Sequence, residues 1–259
     1  MTAPVPGGRM EPEEGWNTHS PPLTTRSAAW LWPVLILAGL GALGLALHLT
    51  DEVSDHESYR FDTWILVHLR HAANTAIPIG PKWLELSAID LSALGGFTLQ
   101  WLLGGAAIVF LLYIRQRAEA AWLGASVIGA SLFNTVLKQS LHRPRPEVVP
   151  HLTLVDNASF PSGHAMISAA ILLTIGAMIS ETVKSTNARF CIMLFAGFLV
   201  FLIGLSRLYL GVHWPTDVLA GWCLGGVWAL IVFAANRLLR RRAARKLLVR
   251  SAHSGDERA

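Results

Sequence analysis

Charge is scarce in this chain. Only 15% of its 259 residues are Asp, Glu, Lys or Arg, against roughly 25% in an average soluble domain, so most of a water-facing surface is missing. Cysteine is scarcer still, and two residues cannot build a disulfide scaffold. The 17 Asp and Glu residues form no cluster of the kind a magnesium or two-metal site requires. Beyond the N-terminal tail there is no low-complexity tract, and no internal repeat stands out. Disordered, collagen-like and nucleic-acid-binding classes fall away. The last does so despite a sequence pI of about 9.4, because the formal net charge is only +4. Apolar residues make up the difference: 53% of the chain is hydrophobic and the mean hydropathy is +0.45.

A helix that spans a bilayer needs about 20 mostly apolar residues. Six runs qualify: Ala28–Leu49, Leu91–Ile114, Ala120–Leu137, Ser162–Ser180, Phe190–Ser206 and Trp214–Asn236, the last with Asp217 as its single charge. The expected fold class is therefore all-α, a polytopic bundle of six transmembrane helices with short interfacial helices. Residues 1–27 are polar and proline-rich and read as a disordered tail, and the long apolar run that follows reads as a retained helix rather than a cleaved signal. Residues 28–236 form the expected membrane domain and 237–259 a basic tail.

Lys and Arg favour the cytoplasmic side. Arg9, Arg26, Arg115, Arg117, Lys184, Arg189 and the C-terminal group from Arg237 to Arg258 fall on one side; Arg60, Arg70, Lys82, Lys138, Arg143, Arg145 and Arg207 fall on the other. The larger group puts both termini in the cytoplasm. The outer segment, about residues 50–90, mixes Phe61, Trp64 and Leu69 with Asp62, His68 and Arg70, which suits a short helix in the headgroup plane, with a second interfacial piece after Pro81. His68 and His71 have metal-pair spacing but no third ligand at matching spacing.

Three clusters break the apolar pattern: Lys138, Arg143 and Arg145; Pro161-Ser162-Gly163-His164; and Ser206-Arg207 with His213 and Asp217. In the six-helix topology all three lie at the same outward face. Lys138, Arg145 and Arg207 give three cations beside two imidazoles, with Asp217 alone to balance them. An anion resolves that excess, and phosphate suits the arginine forks best. Ser162-Gly163 opens a helix, so free N–H groups and the positive dipole end face outward, and Gly163 lets an anion approach the backbone.

The histidines take different tasks. His213 and Asp217 are four apart, on one face if a helix covers both, and Pro215 suits the first turn. A carboxylate on one ring nitrogen leaves the other free to attack phosphorus. His164, beside the phosphate, is placed to give a proton to the leaving oxygen. No metal and no cofactor is required. Taken singly, each residue has a plainer reading: Lys138 as a snorkelling lysine, Asp217 as a dipole-compatible carboxylate. Arg143 either helps with a second phosphate or faces water. His142 and His151 are loop residues without evident partners. Cys191 and Cys223 read as packing residues, Gly221 and Gly225 as a small-residue packing pair, and Trp214 as an interfacial anchor.

Lys138-x6-Arg145-Pro146, then Pro161-Ser162-Gly163-His164, then Ser206-Arg207-x5-His213-x3-Asp217 resembles the three-part signature of type 2 phosphatidic acid phosphatases. The resemblance covers about residues 90–236. It implies His213 as nucleophile, His164 as acid and Asp217 as orienter, with Lys138, Arg145, Ser162, Gly163 and Arg207 as phosphate ligands. It further implies a bacterial inner-membrane lipid phosphatase with its site facing the periplasm or exterior. A phosphorylated lipid is its expected partner, undecaprenyl pyrophosphate before phosphatidic acid, phosphatidylglycerophosphate or lipid A. Two other classes are weaker. An anion or lipid transporter would favour paired broken helices in related halves, and the haloperoxidase relatives are soluble.

Overall fold

The computed structural model describes residues 31–54, 60–155 and 157–256. The expected disordered tail, residues 1–27, and Arg258 of the basic group lie outside them. Eight helices occur among the described residues: α1 Leu31–Ser54, α2 Arg60–His68, α3 Lys82–Leu94, α4 Phe97–Tyr113, α5 Arg117–Leu141, α6 Gly163–Thr182, α7 Thr186–Tyr209 and α8 Pro215–Asp256. The chain divides into two compact units, Met1–Leu37 and Ala38–Ala259. Of the first, only the start of α1 is described; everything below concerns the second.

Five helices are long and apolar enough to cross a membrane, and α3 with α4 makes a sixth if that bent pair is one span. The expected all-α multi-pass bundle is thus borne out, with two corrections. The run Leu91–Ile114 is not one straight helix: α3 ends at Leu94, α4 starts at Phe97, and their axes differ by 49°. Gly95 and Gly96 sit at the break. A Cβ on Gly95 would lie 2.4 Å from Ile203 Cγ2 and 3.2 Å from His164 Cβ, so glycine lets the end of α3 close on α6 and α7. Gly96 is extended (φ −68, ψ 146) and restarts the chain as the N-cap of α4. An uncharged apolar run hides such a break, because glycine is common in membrane helices.

The second correction is in the outer segment. Helices α2 and α3 occupy the two places expected for interfacial pieces, but between them lies a small antiparallel hairpin, β1 Arg70–His71 and β2 Asn74–Pro78. Asn74 Oδ1 accepts from Ala76 N at 2.9 Å, which shapes its turn. Arg70 Nη1 donates to Tyr209 O at 2.9 Å, tying the hairpin to the end of α7.

Helix α6 is central, packed most extensively on α8 and α7 and then on α5. Ser126 Oγ and Thr174 Oγ1 pair at 2.9 Å across α5 and α6, a polar link inside the apolar layer. On the α8 side the glycines pack as expected. A Cβ on Gly221 would meet Ser162 O at 2.9 Å, and one on Gly225 would meet Met166 O at 2.2 Å and Ala169 Cβ at 2.7 Å. Gly226, one residue on, faces nothing within 4 Å. Gly225→Ala should therefore destabilise the detergent-solubilised protein by about 1–3 kcal/mol through overpacking, while Gly226→Ala should leave it unchanged or slightly more stable. Thermal midpoints that fall equally in both variants would remove α6–α8 contact as the cause.

Cys223 is half-buried and packs beside Ala46, Met166 and Leu224, whereas Cys191 is exposed and is not the packing residue expected. The basic segment after Asn236 continues α8 without a break, since Arg, Ala, Lys and Leu all favour helix and the next glycine is Gly255. Arg237 pairs with Glu181 at 3.0 Å, and Arg240 pairs with Glu119.

Candidate active site

The site forms where α5 stops, α6 starts, and α7 hands over to α8. His142 takes a left-handed conformation (φ 46) that ends α5 just past Lys138 and turns the chain toward Arg143 and Arg145. Lys138, Arg145, Gly163, His164, Arg207 and His213 line one cavity of about 650 Å³. The two imidazoles thus share a compartment. Ser162 and Asp217 do not line it. Both are fully buried behind it, and Ser162 N donates to Asp217 O at 3.0 Å. This corrects the expectation of a free N–H at Ser162; free first-turn donors begin at Gly163 and His164. The buried Ser162 Oγ has no hydrogen-bond partner among the described residues.

Neutral oxygens meet each of the three cations. Lys138 Nζ donates to Ala158 O at 2.5 Å and Asn157 Oδ1 at 3.2 Å. Arg145 donates from Nε to Asn157 O at 2.8 Å, from Nη2 to Asn157 Oδ1 at 2.7 Å, and from Nη1 to Val212 O at 2.5 Å. Arg207, 4% exposed, donates from Nη1 to Ser92 Oγ at 2.5 Å, while its buried Nε has no acceptor among the described residues. Among the described residues no carboxylate lies within ion-pair distance of Lys138 or Arg207. Buried guanidinium groups in that condition are costly unless an anion joins them.

His213 precedes α8 rather than sitting on it, because the helix begins at Pro215. The His213–Asp217 contact is nonetheless made by the loop: Nδ1 lies 3.3 Å from Asp217 Oδ2. On the other edge of the ring Arg145 Nη1 lies 3.3 Å from Nε2. A guanidinium can only donate, so Nε2 accepts and the ring proton belongs on Nδ1, toward the carboxylate. Burial, and after it the Arg145 guanidinium, hold this imidazole well below its ordinary pKa, so it is neutral at neutral pH with a lone pair on Nε2. Asp217 Oδ2 also accepts from Trp214 N at 2.9 Å and from Ser159 Oγ.

Arg143 neither faces water nor lines the cavity. Its Nη1 donates to Asp217 Oδ1 at 2.5 Å and its Nη2 to Asp62 Oδ2 at 3.0 Å, a buried bridge between α2 and α8. Asp217 is therefore not the counter-charge of the cavity cations alone, as the sequence suggested. Trp214 lies against the Arg143 guanidinium at 5.5 Å and donates Nε1–H to Pro144 O at 3.0 Å, so it packs the loop as well as anchoring it. His151 does have a partner, Pro146 O at 2.6 Å.

Comparison with known proteins places these helices in a family. The model of the PAP2 superfamily matches residues 119–241. Phosphatidylglycerophosphatase B of Bacillus subtilis is 35% identical over 111 residues, 42% of this chain and 54% of that protein. Undecaprenyl-diphosphatase of Sulfolobus acidocaldarius is 32% identical over 123 residues, 45% and 55% of the two chains. Decaprenylphosphoryl-5-phosphoribose phosphatase of Mycobacterium tuberculosis is 30% identical over 164 residues, 62% of this chain and 85% of that one. The chain belongs to the PAP2 superfamily. It spans about half the length of the first two relatives and most of the third. The fold agrees with the crystal structure of a transmembrane PAP2 type phosphatidylglycerolphosphate phosphatase from Bacillus subtilis, at a TM-score of 0.62 and 23% identity, over 78% of this chain and 96% of that one.

The PAP2 match holds all eight residues given a role from sequence; it also holds Arg143, whose role the sequence left open, and Asn157 and Ser159, which the sequence did not single out. Asn157 anchors both Lys138 and Arg145, yet it sits in a polar loop where nothing in its neighbours flags it. Ser92 and Asp62 fall outside the PAP2 match, on helices packed against it. For Asp62 one signal was available: a carboxylate in an apolar interfacial helix needs a cationic partner, and Arg143 had none assigned.

Proposed function

We propose that this chain is an integral membrane phosphatase that removes the terminal phosphate of a lipid through a phosphohistidine on His213. The observation that carries the reading is the buried Arg207 guanidinium, one nitrogen without an acceptor among the described residues, in the cavity that the neutral His213 lines. A phosphoryl group there supplies oxygens to Arg207, Lys138, Arg145 and the first N–H groups of α6. His213 Nε2 attacks phosphorus, the bond to the leaving oxygen breaks, and His164, protonated beside the bound phosphate anion, gives that oxygen its proton and is left neutral. His164 then takes a proton from water, which attacks phosphorus, breaks the P–N bond and frees phosphate. The cations stabilise the equatorial oxygens in both steps.

The positive-inside distribution supports a cavity on the outer face of a bacterial cytoplasmic membrane with both termini inside. Undecaprenyl pyrophosphate is the favoured substrate: relatives named for undecaprenyl and decaprenyl lipids accompany those named for phosphatidylglycerophosphate and lipid A. The test is phosphate release by detergent-solubilised protein, with EDTA present, from undecaprenyl pyrophosphate, phosphatidate, phosphatidylglycerophosphate and a water-soluble monoester. Release from the prenyl substrate with the highest kcat/KM is expected, undiminished by the chelator. No release from any of the lipids would end the phosphatase reading, and preference for the soluble monoester would end the lipid assignment.

A further inference from the structure

Asp62 takes no part in the steps above and lies on α2, far in sequence from the cavity residues. It is nevertheless completely buried, and its hydrogen bonds converge on the base of α8 and on Arg143. Oδ1 accepts from Thr216 N at 3.0 Å, and Oδ2 accepts from Thr216 Oγ1 at 2.7 Å and Arg143 Nη2 at 3.0 Å. The other terminal nitrogen of the same fork, Nη1, donates to Asp217 Oδ1 at 2.5 Å and to Thr216 Oγ1 at 2.8 Å. The guanidinium thus stands between two carboxylates, one terminal nitrogen on each. Thr216 locks the arrangement: its hydroxyl receives from Arg143 and donates to Asp62.

We infer that Asp62 is a positioning residue for phosphoryl transfer, acting through Arg143 on Asp217. The inference rests on His213 being the nucleophile. When Nε2 bonds to phosphorus and the leaving oxygen departs, the ring keeps its Nδ1 proton and becomes cationic. Asp217, hydrogen-bonded to that nitrogen, stabilises the cation only with the negative charge left to it. A guanidinium shared with no second carboxylate would cancel that charge. Asp62 takes up the far side of Arg143, so the buried trio carries one net negative charge instead of none, close to where positive charge develops. In a medium of low dielectric such a difference acts across several ångströms. The same contacts hold Asp217 Oδ1, leaving Oδ2 for the ring.

An aspartate that merely pinned α2 would alter stability and leave the chemical step alone. Asp62→Asn separates the two, because it keeps the size and an acceptor for Thr216 N while removing the charge. In the detergent-solubilised full chain, kcat should fall about 10- to 100-fold, the scale for hydrogen-bond partners standing behind a ligand histidine. KM should stay within about twofold, since no phosphate contact is touched. In rapid-quench experiments with radiolabelled lipid phosphate, formation of the acid-labile phosphoenzyme should slow by the same factor. Arg143→Lys should give the same pattern, as one ammonium cannot fork between two carboxylates. It stands in should Asp62→Asn fail to fold. Normal kcat per folded molecule in either variant, or a raised KM with normal kcat, overturns the inference. His213→Ala in the same assay separates the two failures: release surviving there sinks the phosphatase reading itself, whereas an inactive His213→Ala beside a normal Asp62→Asn sinks the role of Asp62 alone.

Discussion

His213→Ala should release no phosphate above background and acquire no radiolabel from a labelled lipid phosphate. The expected loss in kcat is on the order of 10⁶-fold, as when a covalent nucleophile is removed. The reasoning starts from the ring's surroundings. His213 is 1% exposed, and its Nδ1 and Nε2 are each assigned by a neighbour, Asp217 on one side and Arg145 on the other. Such a ring has one lone pair to offer, and that nitrogen sits on the cavity side with the Arg145 guanidinium. Alanine removes the lone pair and opens a small void at the loop, without touching the α6–α8 seam that stabilises the fold. Circular dichroism and the thermal midpoint should stay near wild type. Release within about tenfold of wild type would show that another group attacks phosphorus.

Asp217→Asn should slow turnover by about 10⁴-fold, the scale of a His–Asp pair with its tautomer disturbed, and leave KM near its original value. Oδ1 faces the Arg143 donor, and Oδ2 faces Trp214 N, Ser159 Oγ and His213 Nδ1. An amide has one acceptor and one donor end, so either orientation sets its NH₂ against a donor. With the NH₂ toward the ring, the proton of His213 moves to Nε2 and the attacking lone pair is lost. With the NH₂ toward Arg143, the pair loses its charge and clashes with the guanidinium. The cavity cations are unaffected, hence the unchanged KM. A raised KM with normal kcat would mean that Asp217 serves binding, and steady-state kinetics on the purified variant decides between the two.

The parts that were legible from sequence share one property: they are expensive where they stand. Lys138, His164, Arg207 and Asp217 interrupt apolar stretches, and their spacing along successive spans placed them at one end of the bundle before any coordinates. Six of the eight candidate residues line the cavity. The unread parts are those that one-dimensional hydrophobicity cannot register. The break at Gly95-Gly96 depends on how closely Ile203 and His164 approach, which is a relation between three helices. Arg143 reads the same as Arg145 in the string HRPRP, and only the direction of each side chain sends one to the cavity and the other to Asp62 and Asp217. Ser162 and Asp217 lie behind the cavity wall instead of lining it, joined by main-chain atoms that carry no signature in residue identity.

That last link bears on protein design. The peptide N–H of Ser162 reaches the carbonyl of Asp217 because α6 and α8 are close enough for Gly221 to sit against Ser162 O. Short of proline at position 162, which has no N–H to give, no side-chain replacement can supply or cut such a bond. Grafting the eight recognisable residues onto an unrelated four- or six-helix scaffold should therefore give a bundle that binds anions but turns over poorly. A working transplant would have to carry the interhelical spacing with it.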